Sequence, residues 1–336
     1  MLVYDQDYAG LVSSNGLRDS MADFGQGWYN DHHFHYGYFI YSMAVITKFR
    51  PETYNNYSCY MDAFVRDICN YDDHTGEAHT VKLSSTRTGT AGTAPTVFPF
   101  ARHKDFFDGH SWASGLFTQA NGKGQESAGE AINAYYGCSL YGMSTNKPAL
   151  TNFARLLLSM EIDATKIYWQ MTDDSVYDNF FASNRMVGNI GATDVTATTW
   201  FGSNLEYVHG IQWLPVTPVT GFVFDQKYVQ EEWPLLKYRL EPDDRGIDSL
   251  DRHNAAHTPT AVPTYKQDPQ CSAYPECVEA GLVGQCCPTD TGDTLACCGQ
   301  QDDISPSNNG MTDDWKALIY AMHAVVDQDA AIKQIM

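Results

Sequence analysis

The feature that most constrains the fold is helical periodicity over several long segments, with helices outnumbering any convincing strands. Residues 35–49 place Phe39, Met43, Ile46 and Phe49 at spacings of three and four, a stripe that would face a core. The stretch 126–142 is rich in Ala and predicts a buried helix whose small residues permit close approach. Residues 150–168 carry Phe153, Leu157, Met160, Ala164 and Ile167 on one helical face. Thr312 or Asp313 is placed to cap a last helix running through Trp315, Leu318, Met322 and Val325. The expected class is all-α.

Between these segments lie long polar connections, notably 80–99, 184–200 and 255–310, and connections of that length inside a compact domain are usually functional or inserted. The last holds Cys271, Cys277, Cys286, Cys287, Cys297 and Cys298, six of the nine cysteines, in a stretch rich in Pro, Gly, Thr and Asp. Dense cysteine in such a context reads as a disulfide staple formed in an oxidising compartment. A zinc cluster is the competing reading, but there is no CxxC spacing, and adjacent Cys pairs are awkward for tetrahedral ligation. Periodic apolar sequence resumes afterwards, so 258–304 reads as an insertion within a single domain of residues 1–336. Cys59, Cys69 and Cys138 remain outside it, and the odd total leaves at least one thiol unpaired within the chain.

The N-terminal MLVYDQDYAG lacks the basic and apolar regions of a signal peptide. Together with the cysteines and the glycosylation pattern Asn56-Tyr57-Ser58, this leads us to expect a secreted or cell-wall protein whose front is missing from this chain. The net charge of −20 would repel nucleic acid, whereas a neutral polymer is not repelled. No run of 18 apolar residues marks a membrane span. Aromatic residues make up 13% of the chain, rich for packing alone, and flat aromatic faces suit sugar rings.

Four polar clusters are candidates for chemistry. Asn30-Asp31-His32-His33-Phe34-His35-Tyr36 precedes an apolar helix, and Asp31 there reads as a helix cap, a carboxylic acid catalyst or a metal ligand. The absence of HExxH, and three His within four residues that cannot converge from one helix face, count against the metal. Gln125-Glu126-Ser127-Ala128-Gly129-Glu130-Ala131 sets two carboxylates four residues apart, which is mildly unfavourable on an exposed helix and raises at least one pKa if buried. A solvated acidic face is the plain alternative. Asn133 is placed to orient a carboxylate or a sugar hydroxyl. Gly109-His110-Ser111-Trp112-Ala113-Ser114-Gly115 has the composition of a cleft loop and lacks the GxSxG setting of a serine nucleophile. The segment from Trp200 to Trp213 again mixes aromatics with Glu206 and His209.

At these residues the sequence resembles glycoside hydrolase family 81, the endo-β-1,3-glucanases. The resemblance rests on YNDHHFHYGYFIYSMAVI, GHSWASGLF, QESAGEAINAYYG, WFGSNLEYVHGIQWLPVTP and the tail around Asp314-Trp315, in the family's order, with LVYDQDYAGLVSSNGL resembling the entry to its helical region. It implies an (α/α)6 barrel and inverting hydrolysis of β-1,3-glucan without metal or cofactor, by a chain expected to be monomeric. By carry-over of the motifs, Asp31 is the general acid and Glu126 or Glu130 the base. His35, His110 and His209 become hydrogen-bonding groups near substrate, while Tyr36, Trp112 and Tyr136 become sugar-facing. The Cys-rich stretch departs from the family pattern, and so does the lack of the usual N-terminal β-sandwich domain. That second departure leaves a non-catalytic glucan-binding protein as the alternative.

Overall fold

Two glycines and an alanine decide how the central helices meet. In the computed structural model, which describes residues 2–71, 97–116, 119–240 and 313–325, α1 (His32–Phe49) lies against α3 (Ala128–Ser144). A Cβ on Gly37 would come within 2.8 Å of the Ala134 Cα, and one on Gly137 within 3.0 Å of the Tyr41 nitrogen. Only small residues permit such an approach. Position 37 faces 134 and position 41 faces 137, so the helices run parallel and their N-termini lie at one end. The same register puts Asp31 level with the start of α3.

The chain enters through a hairpin of β1 (Leu2–Asp5) and β2 (Gly10–Ser13), and a 3-10 segment at Ala22–Trp28 leads into α1. Helix α2 (Tyr54–Ile68) packs back on α1, with Tyr36 edge-on to Phe64 at 4.7 Å. Strand β3 (Gly124–Gln125) leads into α3. The three residues 145–147 then turn the chain into α4 (Pro148–Tyr168), whose first position is a proline with no N–H to lose. So short a connection makes α3 and α4 antiparallel neighbours, which returns the α4 C-terminus to the end where α3 begins.

A short α5 (Asn179–Ala182) precedes β4 (Asn189–Gly191) and β5 (Val195–Thr196), which join β3 in an antiparallel sheet of order β3-β4-β5. The expected long connection at 184–200 thus contains two strands. Helices α6 (Leu205–Trp213), α7 (Thr220–Val223), α8 (Gln226–Leu240) and α9 (Asp313–His323) complete the described chain. The class is all-α with short strands. Two compact units are present, Met1–Pro234 with Asp314–Met336, and Leu235–Asp313. Nearly all described residues belong to the first. The expected Cys-rich insertion at 258–304, with its proposed disulfides, lies outside the described residues.

Two expected apolar faces need correction. Along α1, Phe39, Ile46 and Phe49 are exposed, and the buried face is instead His32, His33, Phe34, Tyr36, Gly37, Ile40, Ala44 and Thr47. The reason is the close approach of α3, which selects small and hydrogen-bonded side chains over large apolar ones. On α4, Leu157 and Ala164 are buried as expected, but Ile167 is exposed and the inward face continues through Leu150, Ala154, Glu161 and Thr165. Helix α9 starts at Asp313 and buries Ile319 and Met322.

Candidate active site

The shared end of α1 and α3 gathers three carboxylates. Asp31 precedes α1 with φ 59°, in the left-handed region, and its side chain makes no capping hydrogen bond. Its N–H donates to the Ala113 carbonyl at 2.9 Å and its own carbonyl accepts from the His35 N–H at 2.9 Å, so the backbone is pinned while the carboxyl stays uncommitted. The capping alternative is therefore not the one adopted. Burial raises the Asp31 pKa to about 7, with further upward contributions from Glu130 and then Glu126. The helix dipole acts the other way by only about 0.3–1 kcal/mol.

Glu126 follows β3, and its Oε1 accepts the Trp200 N–H at 2.8 Å. Burial and the charge of Glu130 raise its pKa, partly offset by that hydrogen bond. Ser127 is the N-cap of α3, its hydroxyl accepting the Glu130 N–H at 3.2 Å. Spacing of Ser127 and Glu130 is that of a capping box, yet the Glu130 carboxylate turns to the neighbouring helix and accepts the Tyr38 hydroxyl at 3.0 Å. Burial raises the Glu130 pKa, and the Ser127 and Tyr38 hydroxyls pull it partly back. Among the described residues no Lys or Arg figures among the causes of these shifts.

Gln212 holds this turn in place. Fully buried on α6, it donates from Nε2 to the Glu126 carbonyl at 2.6 Å and to the Gly188 carbonyl at 3.2 Å, and accepts the Ala128 N–H at 2.8 Å. The Ser127 hydroxyl donates to the Ile211 carbonyl at 3.0 Å. Gly129 makes the approach possible, since a Cβ there would lie 2.4 Å from both the Gln212 and the Leu214 carbonyl oxygens. Tyr38 and Gln212 were not anticipated from sequence. Tyr38 carried a legible signal, lying two turns beyond Asp31 on the same helical face, whereas Gln212 reaches the site through a backbone contact that no local pattern announces.

The three histidines beside Asp31 diverge. His32 is buried between Asp67, at 2.6 Å, and the Gln26 carbonyl, at 2.9 Å. His33 stacks on His103 at 4.3 Å, and burial holds its pKa well below the usual histidine range. His35 is half-buried, edge-on to Phe24, and its pKa is lowered by burial and by His32. Among the described residues no group of three or more His, Cys, Asp or Glu is arranged to hold a metal ion.

The other expected site residues are dispersed. Tyr36 requires correction: it is a core residue whose hydroxyl donates to the Leu11 carbonyl at 2.7 Å, not a sugar-facing ring. His110 and Trp112 are buried in a loop held by a Lys104–Glu161 ion pair of 2.6 Å, with Glu161 also accepting the Ser111 N–H and hydroxyl. Asn133 is buried one turn after Glu130, and neither end of its amide has a partner among the described residues. Tyr136 is half-buried against Tyr41 and lines a separate cavity with Leu140, Met143 and Arg155. His209 is buried in α6, paired with Glu232 of α8.

Carboxylates gathered at paired helix N-termini with no cation among the described residues beside them are chemically able to give and take protons. Comparison with known proteins makes this specific. Residues 1–246 match the glycosyl hydrolase family 81 C-terminal domain, and the chain belongs to that family. It is 35% identical over 253 residues to the primary septum glucan endo-1,3-beta-D-glucosidase of Schizosaccharomyces pombe, covering 74% of this chain and 23% of that protein. The glucan endo-1,3-beta-D-glucosidase of Glycine max is 33% identical over 240 residues, covering 69% and 33% respectively. This chain therefore spans a third or less of these relatives. A solved family 81 glycoside hydrolase from Clostridium thermocellum shares the fold, with a TM-score of 0.56 at 24% identity over 78% of this chain and 35% of the other.

Proposed function

We propose that this domain hydrolyses internal β-1,3-glucosidic linkages with inversion, Asp31 serving as general acid and Glu126 or Glu130 as general base. The observation that carries the reading is the Asp31 carboxyl, half-buried and free of capping duty, with a pKa near 7 beside two carboxylates and, among the described residues, no cation. An acid that keeps its proton at neutral pH can protonate the leaving oxygen, while a second carboxylate activates water on the opposite face of the ring. Bond cleavage then releases the reducing end as the Asp31 proton moves to the glycosidic oxygen and the water proton moves to the base.

The surroundings fit the two roles. Glu130 carries the Tyr38 hydrogen bond and Glu126 the Trp200 N–H, and each favours the ionised form that a base requires. His35 lies one turn beyond the acid, and Asn133 offers an unpartnered amide one turn beyond Glu130. His110 and Trp112 serve substrate from the adjoining loop. The names of the relatives support β-1,3-glucan as the substrate class. Completion of the helical layers into an (α/α)6 barrel, action outside the cell and a monomeric state belong to the same proposal.

Laminarin digestion followed by anomeric NMR tests it. First-formed α-anomers are expected, and Asp31→Asn should lower turnover by about 10²–10⁴-fold with the fold intact. Retained β-anomers would remove the inverting mechanism. Binding of laminarin without any product would leave the alternative of a non-catalytic glucan-binding domain.

A further inference from the structure

Cys59, Cys69 and Cys138 lie outside the Cys-rich stretch, and the fold treats them differently. Cys59 sits on α2 and is exposed. Cys69, which closes the C-terminus of that helix, and Cys138, midway along α3, are both fully buried in one core cluster with Ile68, Tyr135 and Leu157. The two are 69 positions apart in sequence, yet the Cys69 thiol shares a hydrogen bond with the Cys138 side chain.

Both thiols are held where they meet. The Cys69 N–H donates to the Val65 carbonyl at 2.7 Å. The next residue pins the end of α2 from outside, the Asn70 N–H donating to the Phe100 carbonyl at 3.0 Å and its Nδ2 to the Phe98 carbonyl at 3.0 Å. One turn beyond Cys138, the Tyr141 hydroxyl donates to Asp62 Oδ1 of α2 at 2.9 Å. Helices α2 and α3 are thus joined at two levels, polar at Asp62 and sulfur to sulfur at Cys69.

We propose that Cys69 and Cys138 become joined by a disulfide when the chain folds in an oxidising compartment, bracing the end of α2 against the middle of α3. The oxidant is another disulfide, such as oxidised glutathione. One cysteine thiolate attacks it, forming a mixed disulfide and releasing one glutathione thiol. The second cysteine then displaces the other glutathione, so two electrons and two protons leave on two thiols. Burial pushes the Cys69 thiol up, which leaves little thiolate once the core has closed, so the exchange belongs to the folding chain. Cys59 is the thiol left over among the three. The bond closes a loop that carries His110, Trp112, Glu126 and Glu130, and a loop so long lies toward the upper end of what a disulfide stabilises. None of this depends on the reaction assigned to the carboxylates.

The experiment refolds the full chain from reduced, denatured protein in a glutathione redox buffer, blocks free thiols with iodoacetamide and digests with trypsin without reduction. Arg66 and Lys123 place Cys59, Cys69 and Cys138 on separate peptides. The Cys69 and Cys138 peptides should be recovered joined and come apart in dithiothreitol, with Cys59 alkylated. Alkylation of both buried cysteines, or a link from either to Cys59 or to the Cys-rich stretch, overturns the proposal. Stability supplies the second readout. Refolding in dithiothreitol also leaves the Cys-rich stretch reduced, so the drop in melting temperature between the two refolding conditions is compared in wild type and Cys138→Ala. The drop should be larger in wild type by roughly 5–10 °C, and equal drops would overturn the bracing role. The peptide map uses wild type alone, so it decides the matter even where Cys138→Ala folds poorly.

Discussion

Two sets of carboxylates in this domain, one fully buried and one half-buried, have opposite surroundings. Glu161 is fully buried, paired with the Lys104 ammonium and hydrogen-bonded to Ser111, and Asp67 is fully buried between His32 and Arg102. Burial alone would raise the Asp67 pKa, but His32 and Arg102 outweigh it and leave the group lowered. Asp31, Glu126 and Glu130 have only one another, with hydroxyl and amide donors on the two glutamates, and all three are raised. The same residue type therefore ties loops to helices in one place and has its proton affinity raised in another. What separates the two is whether a cation lies alongside.

Removing the cation from the first set should break the contrast with the largest effect. Lys104→Met leaves Glu161 buried without its cation, held only by the Ser111 hydrogen bonds, which costs about 3–5 kcal/mol, measurable as a lowered urea midpoint. The loop carrying His110 and Trp112 should become protease-sensitive with it. No loss of stability would show that the ion pair does not hold that loop.

The second set predicts the reverse sign. Asp31 has a folded pKa of about 7, above its unfolded value near 3.8, so the folded state binds the extra proton. Its contribution is present at low pH and is lost as pH rises through 7. Asp67, lowered on folding, contributes above its unfolded pKa and loses that contribution as pH falls through the folded one. Asp31→Asn should accordingly stabilise the domain at pH 8 by about 2 kcal/mol, allowing for solvent screening of a part-exposed carboxyl, and much less at pH 4. Parallel stability curves for wild type and variant across pH 4–8 would refute the raised pKa.

The smallest effect sharpens the role of the hydroxyl donors. Tyr38→Phe removes the hydrogen bond that favours ionised Glu130, so the acid limb of kcat/KM should move up by about half to one pH unit. Tyr38 is partly exposed, and the melting temperature should hardly change. An unmoved acid limb would show that Glu130 is not governed by that contact.

Much of this was legible in the sequence, and the omissions have physical causes. The helices at 35–49 and 150–168 and the last one through Trp315, Leu318 and Met322 follow from apolar spacing, and the Ala-rich composition of 126–142 correctly marked α3 as helical and buried. Spacing did not give the buried face of α1, because a helix apolar on several sides leaves the choice to its neighbour, and α3 chose the side bearing Gly37 and Ala44. Glu126 and Glu130 were visible as a pair. Their meeting with Asp31 depends on the parallel register of α1 and α3, which is a tertiary property. Tyr36 was given a sugar-facing role by the resemblance alone, whereas its ring is buried and its hydroxyl donates to the Leu11 carbonyl within the same core cluster.

The left-handed backbone at Asp31 bears on how such a domain can change over evolutionary time. At φ 59° glycine is at ease, and asparagine and aspartate are the best tolerated of the larger residues. The backbone thus favours glycine, asparagine and aspartate at this position, and of these only aspartate carries an ionisable proton. On the proposed reading, a lineage drifting to asparagine or glycine there would keep its helices while losing the proton that hydrolysis needs. If Asp31 is the acid, a cutting enzyme and a mute glucan receptor are one substitution apart.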